Sequence, residues 1–255
     1  MKIAPNVSIR IAGSEAVSLE LDVDRQLGSV RLRPKHGGNS VLTLDGNAFD
    51  FPLFAAPNSV IVEWRASGSE EAAYTNTVEY VSRHYFGLDE LRGYGGGRDD
   101  FGSLPDETLW AARQAATDVF EEASHRSFVT RFGRTKDYGR DGELVAAHRD
   151  VQEVATSGYV QISDSRFKRS PGCGPFPKWV EYSYGAESMP AEVSRAVLEL
   201  AAYILRPANR PIGATGESTD AGYIHFTTAG RDGATAIPEV NAAIEMFGAG
   251  RRLLW

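Results

Sequence analysis

The sequence predicts an α+β fold, with an N-terminal antiparallel β-sandwich-like accessory domain followed by a small helical domain with short strands. Three observations predict it. Residues 1–86 carry apolar side chains with a period of 2, as half-buried strands do. Residues 105–255 carry helical runs with a period near 3.6. Between them, residues 87–104 form a glycine-rich linker in which Gly95, Gly96 and Gly97 are too costly in backbone entropy for a regular element.

In the first part, Val17, Leu19, Leu21 and Val23 alternate with Ser18, Glu20, Asp22 and Asp24, which places the apolar groups on one face. Further strands are expected at residues 7–11, 29–33, 41–44, 59–65 and 75–85, separated by Gly, Pro, Asn and Asp. After the linker, Leu109, Ala112, Ala116, Val119, Phe120 and Ala123 share one helical face. Ser103 with Asp106 fits a capping box for that helix, Pro105 suits its first turn, and its end is expected near residues 126–128. Residues 134–143 look like an exposed polar loop, and short strands are expected at 151–156, 159–163 and 179–184.

A second helix is signalled by Ser188 as cap and Pro190 in the first turn, with Val193, Val197, Leu200, Ala201 and Ile204 on one stripe and Pro207 at its end. A strand at 223–228 then stops at Gly230-Arg231-Asp232-Gly233. The last helix opens at Pro238 and ends at Phe247, with Gly248 placed to terminate it at positive φ. The basic-aromatic tail Arg251, Arg252, Leu253, Leu254 and Trp255 follows. Trp and Arg are favoured contact anchors, so Phe247 and this tail are candidates for protein interaction; the alternative is a disordered end.

A net charge of −7 and a pI near 5.3 argue against broad attraction to phosphates, which requires a clustered excess of Lys and Arg. The densest basic cluster is Arg166, Lys168 and Arg169 around Phe167. It is a candidate contact to DNA or to a subunit, set against a solvated loop. The single cysteine, Cys173, cannot form an internal disulfide and suits a reducing cytoplasm. No apolar run reaches the roughly 20 residues that cross a bilayer, and the opening segment lacks a signal-peptide core.

Chemical motifs are sparse. Gly213 to Thr219 lacks the lysine of a phosphate-binding loop, and in the Gly93 to Arg98 run an arginine replaces the last glycine of a dinucleotide fingerprint. Ser165-Arg166-Phe167-Lys168 has Ser-x-x-Lys spacing without the helix that would bring the amine to the hydroxyl. The five histidines, His36, His84, His125, His148 and His225, lack metal-ligand spacing. Asp99 and Asp100 fall in the glycine linker, where their separation is not held. No catalytic residue, cofactor or metal is expected.

The order of several segments carries a resemblance. Tyr85-Phe86-Gly87-Leu88-Asp89-Glu90-Leu91-Arg92, then Leu109-Trp110-Ala111-Ala112-Arg113 through Glu121, then Ser127-Phe128-Val129 and Arg131, and finally Ala229 to Gly233 and Ile237-Pro238-Glu239-Val240, resemble head-to-tail adaptor proteins of siphophages that infect actinobacteria. The resemblance covers residues 80–248 and is looser over the β-rich first part. It implies a helical connector domain and a structural, non-enzymatic protein made in the host cytoplasm and carried in the virion at the portal vertex. Its partners would be copies of itself in a ring, dodecameric in that family, the portal protein, and a stopper or tail terminator protein. Packaged double-stranded DNA would pass through without specific binding.

The alternative is a two-domain hydrolase or carbohydrate-binding protein, in which the sandwich binds ligand, the helical part carries chemistry, and Trp64, Trp110 and Trp179 stack on sugars.

Overall fold

The structure, a computed structural model, describes residues 1–94, 101–139, 142–173, 175–206, 216–219, 222–225 and 233–248. It is α+β, and its contacts group into two units. Unit 1 joins residues 1–84 to 127–188, and unit 2 joins 85–126 to 189–255. The first passage between units falls between His84 and Tyr85, and the 87–104 segment expected as a linker lies within unit 2. The strands at 127–188, expected within the helical domain, group instead with the N-terminal strands.

Unit 1 begins with β1 (Lys2–Ile3), β2 (Ser8–Ala12), β3 (Ser18–Leu21), β4 (Ser29–Pro34), β5 (Ser40–Thr43), β6 (Ala48–Asp50), β7 (Asn58–Arg65) and β8 (Ala72–Val81). A five-stranded sheet runs in the order β2-β8-β7-β4-β5, and β1-β3-β6 forms a second sheet. Both are mixed, because β2 pairs parallel to β8 and β1 parallel to β3. Alternation sets the faces: Val60, Val62 and Trp64 on β7, and Val78 and Tyr80 on β8, are all buried. Phe49 of β6 meets Trp64 edge-on at 5.3 Å, so the two sheets share an apolar layer. The fully buried Asn76 accepts the Trp64 indole N–H at 2.9 Å and donates to the Ala4 and Val7 carbonyls. A polar group buried there is tolerated because it is fully paired.

The other face of the five-stranded sheet carries Arg10 and Glu79, paired across β2 and β8. Here the chain returns as β9 (Arg131–Asp137), β10 (Glu143–Val145), β11 (Val151–Val154), β12 (Tyr159–Ser163), β13 (Arg166–Arg169) and β14 (Lys178–Tyr184). Glu79 accepts from Arg10 at 3.1 Å and from Arg131 of β9 at 2.5 and 2.7 Å. Burial pushes the Glu79 carboxyl up, and the Arg131 and Arg10 guanidiniums outweigh that and hold it below the ordinary carboxylate range. Sheets β11-β14-β9 and β10-β13-β12 enclose a small core of Val151, Tyr159, Phe167, Val180, Tyr182 and Tyr184.

The strand β9 corrects the polar loop expected at 134–143. Its inward positions are Gly133, which leaves room for the Tyr182 ring, and Asp137, which is charged but paired. At the end of β14, Gly185 has φ +122°, and a side chain there would collide with the Val129 carbonyl.

Unit 2 holds α1 (Leu88–Arg92), α2 (Asp106–Ser124) and α3 (Ala191–Leu205), then a hairpin of β15 (Gly216–Thr219) and β16 (Gly222–His225), and α4 (Pro238–Phe247). The short α1 and a turn at 101–103 occupy part of the expected linker, whereas Gly95 to Gly97, Asp99 and Asp100 lie outside the described residues. On α2 the buried stripe is Leu109, Ala112, Arg113, Ala116, Phe120 and Glu121, and Val119 turns outward. Pro105 and Pro190 are themselves the N-cap residues of α2 and α3, so the expected serine caps are not used. His125 closes α2 in the left-handed conformation. Tyr85 ties the unit together: its hydroxyl donates to Glu121 at 2.8 Å and its carbonyl accepts from Ser194 of α3 at 2.7 Å.

Candidate interaction surface

Between α3 and α4 runs an open groove of about 380 Å³. It arises from two matched stripes. On α3, Val193, Val197, Leu200 and Ala201 are buried, which leaves Glu192, Arg195 and Glu199 along the adjoining face. On α4, Val240 and Ala243 point inward, and Glu239, Ala242 and Met246 follow on the groove side at i, i+3 and i+7. Ala196 and Ala243 form a shallow floor, because alanine leaves space where larger residues would fill the gap. Met246 is 63% exposed and half-buried Phe247 closes one end. Three carboxylates and one guanidinium give the lining a net charge of −2. Burial and the Glu199 carboxylate both push the Tyr94 hydroxyl up, so Tyr94 sits against the α3 side of this acidic face.

The position of α4 is fixed at both ends. Asn241 accepts from the Thr235 N–H at 2.8 Å and donates to the Thr235 carbonyl at 2.9 Å. Arg126, just after α2, donates to the Phe247 carbonyl at 3.3 Å. Gly248 does not adopt the expected positive φ; it has φ −68° and ψ 157°. Its glycine is required for another reason: a Cβ would press on the backbone of Ile244 and Ser124.

Of the residues marked as interaction candidates, Phe247 lines this groove, and Arg251, Arg252, Leu253, Leu254 and Trp255 lie outside the described residues. The basic cluster is divided by strand alternation on β13. Arg166 and Lys168 face outward, with Arg166 3.6 Å from Glu143. Arg169 turns inward and grips Asp137 through two bonds of 2.6 and 2.8 Å. The buried Asp137 also accepts from the Tyr159 hydroxyl at 2.6 Å and from the Gly139 N–H at 2.8 Å. Burial raises this carboxyl, and Arg169, Tyr159 and Gly139 more than reverse that. Arg169 is therefore committed to packing, which removes it from any shared basic patch.

Sequence reasoning missed an exposed cation-aromatic cluster on unit 1. Arg134 lies 4.5 Å over the Trp179 ring, and Lys136 lies 5.2 Å over Tyr138. Its signal was the pairing of Trp179 with Lys136 across β14 and β9, hidden once 134–143 is taken as a loop. The three tryptophans do not form a sugar platform. Trp64 is fully buried, Trp110 lies on α2, and Trp179, 47% exposed, is covered by Arg134.

Half-buried and stacked on Tyr184 at 4.0 Å, His148 receives or gives a bond to Tyr182 at 3.0 Å. Desolvation, followed by Arg131, pushes its imidazole below the usual range. Among the described residues no group of three or more His, Cys, Asp or Glu could hold a metal ion, and no helix is long and apolar enough to cross a membrane.

No protein family pattern matches the chain, and no curated protein matches it. Solved structures do. One is from the virion of a native gene transfer agent particle, at 19% identity over 67% of this chain and 93% of that one, with a TM-score of 0.43. A second is from the neck of a native gene transfer agent particle computed with C12 symmetry, at 17% identity, 66% and 93% coverage and a TM-score of 0.41. A third is from the neck of an empty particle computed with C6 symmetry, at 16% identity, 51% and 82% coverage and a TM-score of 0.40.

Proposed function

We propose that this chain is a head-to-tail adaptor: a virion structural protein that forms a ring below the portal and joins the DNA-filled capsid to the tail. One observation carries the reading. Most of the segments whose order resembles adaptor proteins, although scattered from Tyr85 to Val240, pack into one helical unit in which Tyr85 bonds Glu121, Phe120 meets the Tyr85 ring and Val240 is buried. The role is positional rather than catalytic. An acidic chain suits a ring traversed by DNA, because a lumen that bound phosphates tightly would slow its passage. The β-rich 1–86 segment is assigned to the outside of that ring. Phe247 with residues 251–255 serves as a contact to a neighbouring subunit or the portal, and Arg166 and Lys168 remain a weaker candidate contact.

The test is attachment of the purified chain to tailless, portal-bearing capsids, followed by imaging of the portal vertex. A ring of this chain between portal and tail is expected. A vertex without it overturns the proposal, as does attachment elsewhere on the capsid. Unchanged attachment after removal of residues 249–255 overturns the tail contact, and residues 1–86 lining the channel would overturn their outer placement.

A further inference from the structure

We propose that the groove between α3 and α4 receives the Arg251–Trp255 segment of a second copy of this chain. The inference deepens the ring reading and rests on it, since a head-to-tail contact of this kind closes when repeated around a ring.

Charge and shape point to the same occupant. The groove presents Glu192, Glu199 and Glu239 against a single Arg195, and the segment Arg-Arg-Leu-Leu-Trp brings two guanidiniums and no carboxylate side chain. Guanidiniums pair well with carboxylates at a rim, where geometry is set by planar two-pronged bonds. The floor is Ala196 and Ala243, with Met246 exposed above it, so two leucines and a tryptophan would find apolar surface that the chain's own described residues leave open. From Glu192 to Glu199 the α3 face spans about 10 Å at 1.5 Å per residue, which is the reach of about three extended residues at roughly 3.3 Å each. The volume of about 380 Å³ falls in the range of about 300–1,000 Å³ found for ligand-binding clefts.

The helix end favours a second copy over the same chain. A left-handed residue at the C-terminus of a helix reverses the chain over its own last turn. Gly248 is instead extended, at φ −68° and ψ 157°, with its N–H bonded to the Ile244 carbonyl at 2.8 Å. At its last described residue the chain thus leaves α4 extended, without the reversal at the cap that would point it back along its own helix.

Disulfide trapping tests this in the full chain. Cys173→Ser removes the one native thiol, and two variants of different mass then carry either Ala242→Cys in the groove or Leu254→Cys in the segment. Mixed in oxidised glutathione, they are expected to give a cross-linked heterodimer. Glu192→Lys with Glu239→Lys should lower its yield about tenfold, and adding Arg251→Glu with Arg252→Glu to the partner should restore it. No heterodimer up to near-millimolar protein overturns the proposal. So does a cross-link that forms only within one chain bearing both cysteines, or a yield indifferent to the charge reversals. Attachment to portal-bearing capsids is measured on the same variants. Attachment without the cross-link refutes the groove contact alone, and the cross-link without attachment refutes the adaptor reading alone.

Discussion

Replacing Glu79 by Gln tests how the second set of strands is held to the N-terminal sheet. The carboxylate accepts three bonds of 2.5, 2.7 and 3.1 Å from two guanidiniums. Its side chain is 17% exposed and that of Arg10 7%. Water therefore screens this cluster far less than it screens a surface pair. Glu79→Gln leaves two guanidiniums facing a neutral amide. Breaking a buried pair by removing one partner costs about 3–5 kcal/mol, against less than about 1 kcal/mol for an exposed pair. For a protein of this size, that corresponds to a fall in Tm of roughly 6–20 °C. Urea unfolding of the full chain, with calorimetry, measures it. The triple variant Glu79→Leu, Arg10→Met, Arg131→Met is expected to lose less than Glu79→Gln, because it leaves no buried charge uncompensated. A loss below about 1 kcal/mol for Glu79→Gln, or a greater loss for the triple variant, would refute the reasoning.

Three further outcomes are expected. Stability should fall in two stages on acidification, measured by urea midpoints from neutral to acid pH. His148 titrates lower folded than unfolded, so the unfolded chain takes up a proton first and stability declines as pH drops below about 6.5, a stage absent in His148→Phe. Glu79 and Asp137 are also depressed when folded; their contribution is complete above the ordinary carboxylate range, near pH 4, and is lost as pH falls through the folded values. Gly185→Ala should cost about 3 kcal/mol or more by thermal melt, because strained φ and a collision with Val129 act together. The comparison is Gly46→Ala, at φ +65° in open space, which should cost about 1–2 kcal/mol. Phe120→Ala, fully buried on α2, should cost about 3–5 kcal/mol by urea unfolding.

Where burial follows a repeating apolar pattern, the fold was legible in the residues. Val60, Val62 and Trp64 point inward at every second position, and Leu109, Ala112, Ala116 and Phe120 at helical spacing. Where polar or small residues fill the inward positions, the pattern is silent. The inward positions of β9 include Gly133 and Asp137, so it reads as a loop until Tyr182 and Arg169 are seen opposite. Parallel pairing of β2 with β8 joins residues nearly seventy positions apart, and nothing local encodes it. Helix starts were misjudged by a shared cause: Ser103 and Ser188 match the cap pattern, but the prolines that follow take the cap position. For the interaction surface, Phe247 was visible as an aromatic at the end of a helical run. The groove beside it was not, since Ala196 and Ala243 become a floor only when two helices with residues 206–237 between them align.

The part-buried Glu79 cluster also sets an order of events during synthesis. Arg10 is made before Glu79, but Arg131 follows it by 52 residues. At about 5–20 residues per second, a nascent chain carries Glu79 for roughly 3–10 s with only one of its two guanidiniums available. During that interval the whole of α2 is made, so the N-terminal sheet waits with Glu79 held by Arg10 alone while a helix of the other unit passes through the exit tunnel. The strand that completes the charge cluster and the helix that precedes it are thus timed by their place in the gene.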